Sequence, residues 1–304
     1  MKHWLQAFRL RTLPLAVSSI IVGSALAPRY DRSSSLMTFS WPVMVLALLT
    51  AILLQVLSNL ANDLGDHQHG TDNKDRVGPQ RSVQSGAISP AAMKRAMVIC
   101  GALAFFIGLL LLAFVFGPRH MLRAFFFLLL GCAAIVAAVK YTFGKNPYGY
   151  AGLGDLSVFV FFGLVGVMGT YYLHTLIFRV WTVLPAIGFG LFSVGVLNVN
   201  NMRDIANDSA SGKRTLVVRM GSANARIYHT VLVLGGILCL VANTWLFAKS
   251  PMQWAFLPAL LLLLFHLQAV WRTNEPKALD PQLKVLAMGT FITALTFSLG
   301  LVLA

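Results

Sequence analysis

Hydrophobic residues run along this chain in long unbroken blocks, without the alternation of a half-buried strand. A membrane-spanning helix needs about 20 predominantly apolar residues. Nine segments fit that pattern: residues 12–28, 41–64, 90–117, 120–144, 153–172, 180–203, 227–247, 252–271 and 283–303. Hydrocarbon offers the backbone no partners, so each span must satisfy its own polar groups as a helix or join a closed barrel. The ten-residue alternation of barrel strands is absent. The pattern predicts an all-α, polytopic membrane protein with nine transmembrane helices, forming a single membrane-embedded domain over residues 1–304. Two longer polar interruptions, 65–89 and 204–226, are expected to cap one face of it.

Composition agrees with the pattern. The chain is 57% hydrophobic and 11% charged, against roughly 25% charged in soluble domains. Its basic start leads into an apolar stretch without a clear small-residue cleavage site, so no cleavable signal peptide is expected. Cys100, Cys132 and Cys239 lie inside apolar runs, without metal-ligand spacing, and are expected to be packing residues. The net charge of +14 is distributed between the spans and not gathered in a compact basic domain, so no nucleic-acid partner is expected. Eighteen of the 24 Lys and Arg residues fall on one side of the predicted membrane, in the loops that carry Arg9, Arg11, Arg81, Lys145, Lys213 and Arg272 among others. Six fall on the other: Arg29, Arg32, Arg119, Arg123, Arg179 and Lys249. The positive-inside rule then puts the N-terminus and both long loops in the cytoplasm.

Against that apolar background the acidic residues stand out. The chain has ten, and four of them, Asp63, Asp66, Asp72 and Asp75, follow one another at the end of the second span. Asp204 and Asp208 end the sixth. Asn59 precedes Asp63 by four residues, as Asn200 precedes Asp204, and the two Asn-x-x-x-Asp units are 141 residues apart. Such spacing places each set on one helix face, a register that a solvated loop does not require. Two related four-helix halves and a ninth helix would give that offset, with a shared site between the halves. Carboxylate and amide oxygens without cysteine suit hard cations such as Mg2+, which join a few carboxylates to substrate phosphates. Arg76, Arg81, Lys213 and Arg214 in the same loops are phosphate partners. His67 and His69 lack the spacing of a zinc pair and read as loop polar groups. A diphosphate clamp at the mouth of an apolar bundle fits a polyprenyl diphosphate, whose ionisation leaves an allylic cation for an aromatic acceptor. A transporter is the rival class, but it would carry ionisable groups deep in its spans, where none stands out here.

The residues N62-D63-L-G-D66, G70-T-D72 and D75-R-V-G-P-Q-R81, together with N200-N-M-R-D204-I-A-N-D208 and G212-K-R-T-L, resemble the paired motifs of the UbiA superfamily of membrane prenyltransferases. R11-T-L-P14 and Y141-T-F-G-K145-N-P-Y-G-Y-A-G-L-G-D155 resemble that family as well. Gly70 stands where the 4-hydroxybenzoate branch carries an Asp, which brings the chain nearer to the dihydroxynaphthoate branch of menaquinone biosynthesis. The resemblance implies nine helices around a central cavity in the bacterial inner membrane, with the active site facing the cytoplasm. It implies Mg2+-dependent transfer of a polyprenyl group to 1,4-dihydroxy-2-naphthoate, with loss of CO2 and diphosphate, to give demethylmenaquinone; 4-hydroxybenzoate and homogentisate are the alternative acceptors. It assigns metal and diphosphate binding to Asn59, Asn62, Asp63, Asp66, Asp72, Asp204 and Asp208, with Asn200 and Asn201 beside them. Arg81, Lys145, Lys213 and Arg214 would pair with the diphosphate, and Tyr141 would stabilise the prenyl cation. Asp155 would orient Lys145 or the acceptor, unless it simply caps the fifth span. Arg11 would meet the acceptor's carboxylate, unless it is a topology charge.

Overall fold

The computed structural model describes residues 2–27, 39–73 and 76–304. Asp31, Asp75, Arg29, Arg32 and Lys74 lie outside the described residues. Those described are helical or irregular, with no strand among them, and nine helical segments are long and apolar enough to cross a membrane. A short amphipathic helix, α1 (Lys2–Phe8), leads through a left-handed residue, Arg9, into α2 (Leu13–Leu26). Then come α3 (Trp41–Gln68), α4 (Pro90–Phe116) and α5 (Met121–Lys140). The fifth span is composite: α6 (Gly154–Val158), a π-helical stretch (Phe159–Gly169) and α7 (Thr170–Thr175). After it follow α8 (Val183–Arg203), the short α9 (Ile205–Ala210), α10 (Leu216–Phe247), α11 (Leu257–Arg272) and α12 (Asp280–Val302).

The spans agree with the hydropathy pattern to within a few residues at most ends. Two departures matter. The second span runs four residues further, to Gln68, which puts Asp66 on the helix. The seventh helix begins eleven residues earlier, at Leu216, and is broken at Gly221, whose φ of 78° only glycine adopts readily. The break separates the segment 216–220 from the span proper.

The helix most enclosed by its neighbours is α8. Its apolar residues point all round, as a helix surrounded by others requires, and it packs on α10, α12 and the π-helical stretch. Close approach depends on small residues: a Cβ on Gly163 would lie 2.6 Å from the Ala186 carbonyl oxygen, and one on Gly166 would lie 2.7 Å from Ser19 Cβ. The wider π winding turns the Phe162 carbonyl toward α2, where Ser19 donates its hydroxyl to it. The main core joins α2, α8, α10, α11 and α12, while a second one joins α3 and α4 to the N-terminal segment. The fourth span, α5, buries none of its residues and leans mainly on α3 and α4, with Phe127 stacked on Tyr172 of α7. Between these two groups of helices lies the cavity.

The ends of α3 and α8 meet at one end of the bundle. Asn207 Nδ2 donates to the Thr71 carbonyl at 2.7 Å, and the Arg214 amide donates to the Tyr150 carbonyl at 3.0 Å. Gly65 is what lets the 142–143 segment pass behind α3, because a Cβ there would stand 2.4 Å from the Thr142 carbonyl oxygen. Gly65→Ala is therefore expected to destabilise the protein by about 1–3 kcal/mol, the range for overpacking. Gly101→Ala meets only Leu57, at 3.7 Å, and is expected to be neutral or stabilising by up to about 1 kcal/mol. Thermal unfolding in detergent measures both; equal effects would show that the 142–143 segment does not hold α3.

Candidate active site

The cavity has a volume of about 390 Å3 and changes character along its length. One end is apolar, walled by Ile20, Ala47, Leu111, Leu112, Phe127 and Leu173, with Phe161 and Val165 of the π-helical stretch along one side. The other end is polar and is formed by the last turns of α3 and α8 with the segments that follow them. Asn59, Asn62, Asp66, Asp72, Asn200, Asn201, Asp204, Asn207 and Asp208 all line it.

Successive helical residues are turned by roughly 100°, so Asn62 and Asp66 share a face one turn apart. Asp63 is turned away from them toward the cap. Its Oδ2 accepts the Ser82 amide at 3.2 Å and its Oδ1 the Val83 amide at 3.1 Å. This corrects the expectation for Asp63: it does not line the cavity, and its carboxylate holds the loop after the first motif. The unit facing Asn200 and Asp204 is then Asn62 and Asp66, 138 residues apart in each case. In that register Gly70 stands opposite Asp208, and Asp72 supplies a carboxylate two residues later. Asn59 does line the cavity, but its amide donates to the Phe8 carbonyl at 3.0 Å and to Thr12 Oγ1 at 3.3 Å. It fastens the N-terminal segment to α3. Asn62 Oδ1 accepts the Thr142 hydroxyl at 2.8 Å.

Buried cations link the carboxylates. Lys213 Nζ lies 3.9 Å from Asp66 and 3.5 Å from Asp208, one from each motif. Arg81 stands 3.8 Å from both Asp66 and Asp72, and Arg76 donates to Asp72 at 2.9 Å. Tyr150 donates its hydroxyl to Asp66 Oδ1 at 2.9 Å, and its ring lies under Lys213 Nζ at 5.3 Å. On the second motif, Arg203 forks onto Asp204 at 3.0 and 2.6 Å and also pairs with Asp280. Arg11 lines the cavity 3.5 Å from Asp280. Five cations (Arg9, Arg11, Arg76, Arg81 and Lys213) and four carboxylates (Asp66, Asp72, Asp204 and Asp208) line this end of the cavity, with Asp63, Arg203 and Asp280 outside the lining.

Titration behaviour follows from this enclosure. Burial raises the Asp208 carboxyl to about 6, against the pull of Lys213. Asp72 is raised too, by burial first, with Arg76 opposing. Burial favours a neutral Lys213, but Asp66 and Asp208 outweigh it and hold the ammonium above the usual lysine range. Burial keeps the Tyr141 and Tyr150 phenols neutral well beyond physiological pH, helped by Asp155 and Asp66 respectively.

Tyr141 lines the cavity, its ring edge-on to Tyr148 at 5.5 Å. Besides Asp63, three expected residues are not brought to the wall. Lys145 and Arg214 are exposed to solvent on the far side of their loops. Asp155 is buried behind Tyr141, and it accepts the Tyr228 hydroxyl at 3.0 Å. Sequence reasoning overlooked Arg9, Tyr150, Arg203, Asn207 and Asp280. Arg203 had a signal, since it sits inside the second motif, but it reads equally as a topology charge. Asp280 had only its rarity as an acidic residue.

Nine apolar spans, a cavity with one polar end, and paired Asn/Asp helix ends around buried cations define the architecture of an intramembrane prenyltransferase. Residues 16–295 match the UbiA prenyltransferase family, and the chain belongs to it. It is 46% identical over 304 residues to the 1,4-dihydroxy-2-naphthoate octaprenyltransferase of Escherichia coli, covering 99% of this chain and 95% of that one. It is 45% identical over 303 residues to the enzyme of the same name from Haemophilus influenzae, covering 100% and 96%. Among solved structures, a UbiA homolog from Archaeoglobus fulgidus bound to GPP and Mg2+ superposes with a TM-score of 0.67 at 15% identity, covering 99% of this chain and 100% of that one. Family membership sets aside the transporter reading.

The different settings of Asp63 and Asp66 are separable. Asp66→Asn is expected to lower turnover of the folded protein by at least 100-fold, with some loss of melting temperature because Lys213 and Arg81 lose a buried counter-carboxylate, whereas Asp63→Asn should keep most of the turnover of the folded protein. Asp63→Asn is expected to lower the melting temperature, because one oxygen facing the 82–83 amides becomes a donor and a buried amide is left unpaired, at about 1–3 kcal/mol. Turnover and unfolding measured on both variants decide it; the reverse pattern would show that Asp63 is the cavity ligand.

Proposed function

We propose that the chain transfers a polyprenyl group from a polyprenyl diphosphate to 1,4-dihydroxy-2-naphthoate, releasing diphosphate and CO2. The observation that carries this reading is Lys213 held between Asp66 and Asp208: both acidic motifs meet at the mouth of one apolar cavity. The two enzymes reported above, similar over nearly the full chain, support the naphthoate as acceptor.

A Mg2+ requirement is tested against the donor atoms present. Asp72 Oδ2, Asp208 Oδ2 and Asn207 Oδ1 are buried oxygens without a hydrogen-bond partner, and unpaired buried acceptors of this kind suit a hard cation. Among the described residues no three His, Cys, Asp or Glu side chains form a ready-made cage, in keeping with an ion shared between carboxylates and substrate phosphate. The residues fit, and Asp66, Asp72, Asp204, Asn207 and Asp208 would hold the ion. When bound, Mg2+ neutralises charge developing on the leaving diphosphate.

The chain's own residues do the rest. Arg81 and Lys213 pair with diphosphate oxygens, the first as a fork and the second as a point charge. The apolar end receives the first isoprene units and keeps water from the allylic cation. Tyr141 and Tyr148 present aromatic faces to that cation, each worth up to about 2 kcal/mol in a dry site. Because Tyr141 stays protonated, it acts through its ring and not as a base. The acceptor ring lies beside the cation, with Arg11 toward its carboxylate. Attack by the ring carbon forms the C–C bond, and the carboxylate's bonding pair returns to the ring as CO2 leaves. Lys145, Arg214 and Asp155 take no part in this reading. The cation excess of the loops on this side supports a cytoplasmic site in the bacterial inner membrane.

Purified protein given a prenyl diphosphate, Mg2+ and dihydroxynaphthoate is expected to form the prenylated quinol with release of CO2. EDTA should abolish it, and 4-hydroxybenzoate should give less than a tenth of the rate. Arg81→Ala should raise the donor KM more than the acceptor KM. Equal use of 4-hydroxybenzoate would overturn the acceptor assignment, and undiminished turnover in EDTA the clamp.

A further inference from the structure

We propose that Asp280, at the head of α12, is a positioning residue for the active site, setting through Arg203 how Asp204 is presented to the cavity. The inference rests on the cation–diphosphate clamp proposed above.

Arg203 is wholly buried. Its Nε and Nη2 donate to the two oxygens of Asp204 at 3.0 and 2.6 Å, Nη2 also donates to Asn200 Oδ1 at 3.0 Å, and Nη1 donates to Asp280 Oδ1. One guanidinium therefore serves two carboxylates. Asp280 spends its other oxygen on Arg11, 3.5 Å away. The result is a ladder of alternating charge, Arg11–Asp280–Arg203–Asp204, running from the segment before α2, through the start of α12, to the end of α8. The cap closes it from above: a Cβ on Gly78 would lie 2.7 Å from Arg203 Nη2, so the loop rests directly on the guanidinium.

The fork on Asp204 fixes the plane of that carboxylate. It uses one lone-pair position on each oxygen and leaves the others for the cavity that Asp204 lines. Asp280 itself does not line the cavity, and its side chain is 30% exposed. Without its charge, the buried Arg203 would have Asp204 as its sole counter-carboxylate. A carboxylate neutralised by a close guanidinium is a weaker ligand for a second cation, and loss of an outer partner of this kind typically lowers metal affinity about 10–100-fold. The tether between α12 and α8 would be cut in the same change.

The test uses the full-length protein in detergent, with Mn2+ alone as probe. Free Mn2+ is followed by EPR during titration of wild type, Asp280→Asn and Asp280→Glu, and initial rates are then measured against Mg2+ and, separately, against the acceptor. Asp280→Asn is expected to weaken Mn2+ binding and raise half-saturating Mg2+ about tenfold or more; the acceptor KM, which reports on Arg11 at the other end of the ladder, should change by a smaller factor. Asp280→Glu, which keeps the charge, should recover most of the loss. Gly78→Ala, which presses on Arg203 without altering any charge, should shift the Mn2+ affinity in the same direction, and it decides the matter if the Asn variant does not fold. Wild-type Mn2+ affinity in Asp280→Asn or Gly78→Ala would overturn the assignment, as would an Asp280→Glu as impaired as the Asn variant. A wild-type protein that binds no Mn2+ and turns over in EDTA would overturn the clamp itself, and the role of Asp280 with it.

Discussion

The architecture depends on one buried ion: the Lys213 ammonium shared by Asp66 and Asp208. Helices in lipid gain little from hydrophobic burial against one another, since the tails are as apolar as the side chains, so packing and polar links set their register. Shape does that work over most of this bundle, through glycines such as Gly163 and Gly166 that let backbones touch. At the polar end charge does it. The ends of α3 and α8 belong to parts of the chain more than a hundred residues apart, and the cations between their carboxylates make one position of those ends much better than the rest. Taking each charge out of water costs several kcal/mol, so the network is weak evidence for stability. Its effect is on placement: it brings two sets of carboxylates to the mouth of a cavity whose other walls are hydrocarbon.

That division also explains what was legible in the sequence. The nine spans were, because lipid imposes one rule on every residue within it. The two Asn/Asp units were too, because acidic residues are scarce here and their spacing is helical. Which of them face the cavity was not. Periodicity says that Asn59 and Asp63 share a face, as do Asn62 and Asp66, but the choice between the pairs is made by partners distant in sequence. Asp63 is taken up by the amides of Ser82 and Val83, and Asn59 by the carbonyl of Phe8. Lys145 and Arg214 failed for a related reason: a basic residue next to a motif can point either way from a turn, and here both turn to solvent. Asp280 and Arg203 matter only together, and nothing local to either announces the other.

The polar end of the cavity is lined by five cations and four carboxylates that pair with one another. In the proposed reaction the diphosphate takes over the cations and the metal ions that accompany it take over carboxylate oxygens, so each charge that enters finds a partner in a site where an unpaired charge costs several times what it does at a surface. In that reaction, as the C–O bond ionises, negative charge concentrates on the leaving group beside Arg81 and Lys213, while the positive charge is left on the allylic carbon, facing Tyr141 and Tyr148 where the polar end gives way to the apolar walls. Separating charge in that direction, from the polar mouth toward the aromatic wall, is what the two-ended cavity favours. A ring held at the boundary is then the nucleophile closest to the carbon that becomes positive.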